Sequence, residues 1–284
     1  MKLNIIGNGF DCAHGIRSTY ADLCDYLRDR NVPLYQADDL LDDLGIDLWS
    51  DFETALGELT PDRVVSSLEA DAKEREPEDI SRQHHLIVDK CSLAFDCLKE
   101  LLQYFFRSWV ESIDITKAVA SGDLDLDPSD LYLTFNYTEV LEEIYGIPET
   151  GVCHIHGRRN TGAKLLVGHG RSTLPRYGGH EWSATDETLP LVYGHLEASY
   201  KDVRKNIKGH ASFFRSLKGI DKVCVYGFSF GKVDLPYLQE IIRHIGPAAK
   251  WEVACHAPGE RAGFEDVLIG ELGIPRKNVK LFSW

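Results

Sequence analysis

The sequence predicts an α/β protein with a Rossmann-like, doubly wound parallel sheet and a helical insertion after the first strand–helix turn. Three observations carry that expectation: four short apolar runs (Leu3–Ile6, Leu131–Phe135, Lys222–Tyr226 and Trp251–Cys255), helix-period segments between them, and a glycine turn directly after the first run. Apolar runs this short and this continuous suit strands buried on both faces. Their alternation with helices is the pattern of a parallel sheet with crossover connections.

Taken in order, Leu3–Ile6 leads into Gly7-Asn8-Gly9-Phe10-Asp11-Cys12-Ala13-His14-Gly15. A strand, a glycine turn and a helix start together aim backbone N–H groups at an anion, and small residues let a pyrophosphate approach. The spacing departs from GxGxxG, because Cys12 stands at the third glycine position. An ordinary tight connection needing positive φ at glycine fits the same residues. Asp11 either caps the helix or binds a ribose hydroxyl.

From Thr19 to about Ile113 the alternation stops, and helix-like stretches near 19–30, 50–70 and 82–113 take its place. In the last, Leu86, Leu93, Leu98, Leu101, Phe105 and Trp109 recur at helical spacing. The expected domains are therefore a nucleotide-binding core of residues 1–18 and 114–284 with a helical insertion over 19–113. The acidic stretch Ala72–Ile80 reads as an exposed loop within that insertion.

Beyond it, Leu131–Phe135 runs into Thr134-Phe135-Asn136-Tyr137-Thr138, at the sheet edge where open α/β folds bind ligands. An asparagine there orients a water or a ribose hydroxyl, or is a turn residue with Thr138 as N-cap and Glu142 near the capping-box position. Helices are expected over Thr138–Tyr145, Leu235–Ile245 and Gly259–Leu272, and weaker strands over Gly151–Ile155 and Leu165–Val167. Residues 156–190 read as a long loop region.

His154 and His156 share a strand face at a spacing of two, and no HExxH or acidic cluster supplies the further ligands a metal needs. One histidine as general base, the other structural, is the alternative. Gly227-Phe228-Ser229-Phe230-Gly231 matches the nucleophile elbow GxSxG. The later histidines are His244 and His256, and Asp234 is the only aspartate between Ser229 and His256. Ser229 is thus either a hydrolase nucleophile or a ribose or phosphate contact.

Composition narrows the classes. The 284 residues carry 45 acidic against 31 basic side chains, a net charge of −14, which argues against a nucleic-acid backbone as partner. Seven cysteines without CxxC spacing suggest neither a disulfide framework nor a zinc ribbon. No run approaches the roughly 18 apolar residues of a membrane span, and no signal-peptide pattern opens the chain, so a cytoplasmic location is expected.

GNGFDCAHGIRSTYADL, WSDFETALG at 49–57, TFNYTEVLEEIYG, HIHG and YGFSFGKVDLPYL at 226–238 follow one another in this order along the chain. The pattern closely resembles the AbiH family, named for bacteriophage abortive infection, and more remotely the sirtuin-like NAD-binding proteins. The resemblance implies antiphage defence through NAD, bound or hydrolysed at its nicotinamide–ribose bond. It places Asn136 and His156 as the catalytic pair. Gly7, Asn8, Gly9, Asp11, Thr134, Gly227, Ser229 and Asp234 form the cofactor-binding set. It implies no metal, because the paired cysteines of the sirtuin zinc module are missing. A phage-derived trigger is the macromolecular partner it brings with it, while the apolar surface of the helical insertion reads either as the interface of a homo-oligomer or as a cover for the sheet. A nucleotide-sensing module without turnover and a serine hydrolase using Ser229 remain the alternatives.

Overall fold

In a computed structural model, residues 1–122, 124–179, 184–257 and 259–284 are described. In chain order the first elements are β1 (Lys2–Ile6), α1 (Asn8–Ala13), α2 (Tyr20–Asp29), α3 (Tyr35–Asp43), α4 (Phe52–Glu58), α5 (Pro61–Arg75) and α6 (Ile80–Glu100). A π-helical turn, Leu101–Phe105, joins α6 to α7 (Phe106–Ser112). Then come β2 (Leu131–Thr134), α8 (Val140–Glu143), β3 (Val152–His154), α9 (Thr185–Ala198), α10 (Val203–Gly209) and α11 (Ala211–Ser216). The chain ends with β4 (Lys222–Tyr226), α12 (Leu235–His244), β5 (Lys250–Cys255), α13 (Glu260–Glu265) and β6 (Val279–Ser283).

The six strands form one sheet in the order β3-β2-β1-β4-β5-β6, and every pairing is parallel. This is the strand order of the dinucleotide-binding fold, in which the winding reverses between β1 and its neighbour β4. One face of the sheet, built by Leu3, Ile5, Leu133, Val223, Val225 and Val253, is buried against Phe214, Leu217, Leu238 and Ile241 of α11, α12 and their connections. Burying a large apolar side chain contributes about 1.5–3 kcal/mol, so this face alone commits the register.

The chain divides into two compact units. One comprises Met1–Thr19, Val110–Leu166 and Asp202–Trp284 and carries the sheet; the other comprises Tyr20–Trp109 and Val167–Lys201 and is helical. Residues 167–201, expected in the core, fall in the helical unit. There the Gly168 N–H donates to Glu53 (3.1 Å), and the buried Lys201 ammonium pairs with the same carboxylate. Asp51 and Asp79 cap α4 and α6 through the N–H groups of Thr54 and Arg82, each worth about 1 kcal/mol.

Several expected elements move. Leu165–Val167 is not a strand, and β6 supplies the sixth. The loop expected over Ala72–Ile80 shrinks to four residues, 76–79, because α5 continues to Arg75. Helix α3 and the run from α9 to α11 lie where the sequence pattern predicts loop or no regular element. The apolar stripe of α6 runs through Ile87, Cys91, Ala94 and Leu98, while Leu93 is exposed. At Leu101–Phe105 the π turn adds a residue, so the buried position after Leu101 is Phe106, not Phe105. Among the described residues no helix is long and apolar enough to cross a membrane.

Candidate functional site

The ends of β1, β2, β3 and β4 bring the predicted residues to one rim of the sheet-bearing unit. Thr134 of β2 stands opposite His154 of β3, and the Ile155 N–H donates to the Thr134 carbonyl (3.0 Å). Two residues further along each chain, Asn136 and His156 leave the sheet at the same level. Gly7 follows β1 and Gly227 follows β4, so both border the point where the winding reverses.

The glycines have a use that their spacing does not reveal. A Cβ on Gly7 would stand 2.5 Å from the Gly227 carbonyl oxygen, and one on Gly227 only 2.0 Å from the Phe10 amide nitrogen. Gly7 N–H donates to Tyr226 O (3.0 Å) and Gly9 N–H to Gly227 O (2.8 Å). The two turns therefore pack backbone to backbone, and two of the N–H groups expected to meet a phosphate are spent inside the protein. Gly227, at φ +61°, also needs the left-handed conformation. Asn8 is exposed beside this contact, and its side-chain carbonyl accepts from the Ser18 hydroxyl (2.7 Å).

Behind the turn lies a buried polar cluster. Asn136 Nδ2 donates to Gly7 O (3.1 Å) and to Asp11 Oδ1 (2.7 Å), and Thr138 Oγ1 donates to Asp11 Oδ2 (2.5 Å). The Asn136 N–H donates to Thr134 Oγ1 (3.1 Å). Asp11, Asn136, Thr134 and Thr138 are all buried. Burial pushes the Asp11 carboxyl up to about 6, against the opposing pull of the hydrogen bonds from Thr138 and Asn136. Thr138 is thus not the N-cap of α8: its hydroxyl is turned back to Asp11, and the helix starts only at Val140, with Glu139 at the N-cap position and no side-chain cap bond.

His156 is buried in an aromatic enclosure, with ring centroids 5.1 Å from Phe135, 5.8 Å from Tyr237 and 6.3 Å from Tyr137. Its Nε2 lies 3.4 Å from Asp234 Oδ1. Tyr237 accepts a hydrogen bond from Asn206, whose amide also donates to Ile155 O, so the wall behind His156 is fixed. His154 has a different neighbourhood: Nε2 contacts Glu142 Oε1 (2.8 Å) and Nδ1 the Asn136 carbonyl (3.2 Å). Burial pushes Glu142 up, but His154 and then Arg158 outweigh it and hold the carboxyl below its usual range. Arg159, also buried, pairs with Glu139 and donates to Ile113 O. Sequence reasoning missed these pairs, although HIHGRR following TEVLEE was their visible trace. Among the described residues no three His, Cys, Asp or Glu side chains gather as a metal site.

Ser229 is exposed, and the strained backbone of an elbow is not on it: the non-glycine residue at positive φ in this turn is Phe230, at +58°. The next helix begins only at Leu235, and His244 is tied to Glu240 (3.0 Å) within it. The strained serine and the helix packed directly behind it, which mark a nucleophile elbow, are not found at Ser229. A shallow concavity lined by Ile220, Asp221, His244 and Ala249 lies at the opposite end of β4 and shares nothing with the rim.

A family profile described as bacteriophage abortive infection AbiH matches residues 3–255, a span that includes every rim residue named above. No curated protein and no solved structure matches the chain.

Proposed function

The chain belongs to the AbiH family of bacteriophage abortive infection, and from that premise we propose that its sheet rim binds a nucleotide of the NAD type and hydrolyses the nicotinamide–ribose bond. The observation that carries this reading is that Asn136 and His156 follow the ends of the adjacent strands β2 and β3 at the carboxyl edge, where open α/β sheets take ligands, with Asp234 Oδ1 3.4 Å from His156 Nε2. In the proposed step a water oxygen attacks the anomeric carbon, the carbon–nitrogen bond breaks, and nicotinamide departs with the bonding pair. His156 takes the proton of the attacking water, and Asp234 orients the imidazole and balances the charge it gains. Asn136 Oδ1, a buried acceptor with no hydrogen-bond partner among the described residues, receives a hydroxyl of the ribose or of the water.

The departures from a ready-made phosphate cradle bear on the ligand's pose. With the N–H groups of Gly7 and Gly9 committed to β4, the pyrophosphate contacts fall to Asn8 and to Ser229, which are exposed on the two turns.

Calorimetric titration with NAD and ADP-ribose, followed by assay of released nicotinamide with and without phage challenge, tests the proposal. Binding with release that disappears in His156→Ala supports it. Binding without release under either condition leaves a sensing module in its place, and absence of binding removes the nucleotide reading altogether.

A further inference from the structure

Asn136 presents a specific puzzle. Its Nδ2 has two hydrogens and two acceptors, Gly7 O at 3.1 Å and Asp11 Oδ1 at 2.7 Å, so the amide is fully committed on its nitrogen side. Its Oδ1 is buried and has no hydrogen-bond partner among the described residues. An amide can turn over by half a rotation and exchange these two ends, and a buried acceptor left unmade is costly. Something must hold the amide in this orientation. The Gly7 carbonyl and Asp11 are both placed to do so, and Asp11 is the stronger of the two, because an ionised carboxylate accepts only, carries the charge and stands at the shorter distance. Thr138 fixes the carboxylate in turn through its other oxygen, at 2.5 Å. Asp11 is itself only 1% exposed, with both oxygens engaged from within the protein.

We infer that Asp11 is a positioning residue which sets the orientation of the Asn136 amide, so that the rim presents an acceptor selective for a hydroxyl-bearing sugar. This replaces the ribose contact expected of Asp11 from sequence. It rests on the proposed nucleotide site for its ligand, but not for the orientation itself. The ligand class follows from the polarity: an unmade carbonyl oxygen pairs with a ribose hydroxyl and gains nothing from a deoxygenated sugar carbon. The raised carboxyl of Asp11 adds a consequence. When it is protonated it acquires a donor, and its preference for the amino end of Asn136 weakens.

Two measurements decide it. The first needs no ligand: hydrogen exchange of the Asn136 side-chain amide, assigned by its loss in Asn136→Ala. Slow exchange is expected in the wild type and in Asp11→Asn, which keeps an acceptor facing Asn136, and exchange faster by about 100-fold in Asp11→Ala. If Asp11→Ala does not fold, Asp11→Ser gives the same reading, its hydroxyl being too short to reach. An Asn136 amide equally protected without the carboxylate overturns the inference.

The second compares NAD with an analogue lacking the hydroxyls of the nicotinamide ribose, in a His156→Ala background that removes turnover. A preference for NAD of about tenfold, the worth of one hydrogen bond, is expected. It should fall to near unity in Asp11→Ala and in Asn136→Ala, with no further loss in the double variant. A uniform weakening of both ligands by Asp11→Ala marks a merely structural residue and overturns the inference. Failure of the wild type to bind NAD counts against the proposed function, while the exchange measurement still decides the role of Asp11.

Discussion

The Gly9 amide donates to the Gly227 carbonyl at 2.8 Å, and no side chain separates the turn after β1 from the turn after β4. The two strands that flank the winding reversal are thus joined at their ends by glycine backbone. Gly227→Ala meets both a left-handed φ of +61° and a backbone atom 2.0 Å from the new methyl. It is expected to cost about 3 kcal/mol or more. Gly15→Ala has a similar φ of +76° but open space around it, and should cost about 1–2 kcal/mol. Urea unfolding midpoints of the two variants check this; similar losses would mean that turn packing adds nothing to the φ requirement.

His156 and Asp234 form the second testable pair, 3.4 Å apart between Nε2 and Oδ1. If His156 takes the proton from water, a neutral amide in place of Asp234 leaves the imidazolium without its balancing charge. Asp234→Asn should lower nicotinamide release by about 100-fold while NAD affinity changes less than threefold. Steady-state rates set beside calorimetric Kd values give the split. A loss confined to affinity would return Asp234 to the binding set that the sequence suggested.

How far the sequence discloses this molecule depends on which interactions are local. β1, β2, β4 and β5 are legible because each is buried on both faces and so reads as an apolar run. β6 is not, since an edge strand with Lys280 and Ser283 facing outward has no such run. The rim residues are legible as types at strand ends, but their partners are not. Asp11 and Thr138 are 127 residues apart, and nothing local distinguishes a threonine that caps a helix from one that turns back to a carboxylate. The glycines show the same limit: the turn is visible in GNG, yet its packing against Gly227 depends on strand order. The π turn after Leu98 shifted the buried stripe by one residue, a change that no fixed helical period contains.

In the helical unit, Lys201 has no exposed side-chain surface and pairs with Glu53 at 2.9 and 3.0 Å. Removing one partner strands a buried charge. Lys201→Met should therefore destabilise this unit by about 3–5 kcal/mol, and adding Glu53→Leu should recover part of that loss. Recovery will be incomplete, because Glu53 also accepts from the Gly168 N–H at 3.1 Å. Denaturant unfolding of the single and double variants provides the comparison; a double variant less stable than Lys201→Met would show that the charge on Glu53 is not the cost.

The last prediction concerns pH, and its sign follows from Asp11. Burial raises its carboxyl from an ordinary 3.8 to about 6 in the folded protein. Below pH 4 both folded and unfolded chains hold the proton. Between there and pH 6 the unfolded chain has released it and the folded one has not, so stability falls as pH rises, and levels off above. A displacement of about two units corresponds to about 3 kcal/mol. His195, lowered to about 4 by burial, works in the other direction, losing stability as pH falls through that range. The raw curve mixes the two. The informative quantity is wild type minus Asp11→Asn, which removes the titration and keeps the shape of the side chain. That difference should decline from pH 4 to pH 7 by 1–3 kcal/mol in urea unfolding. Parallel curves for the two proteins would mean that the Asp11 carboxyl titrates alike in the folded and unfolded chains, and that its enclosure by Asn136 and Thr138 stabilises the charged form as fully as water does.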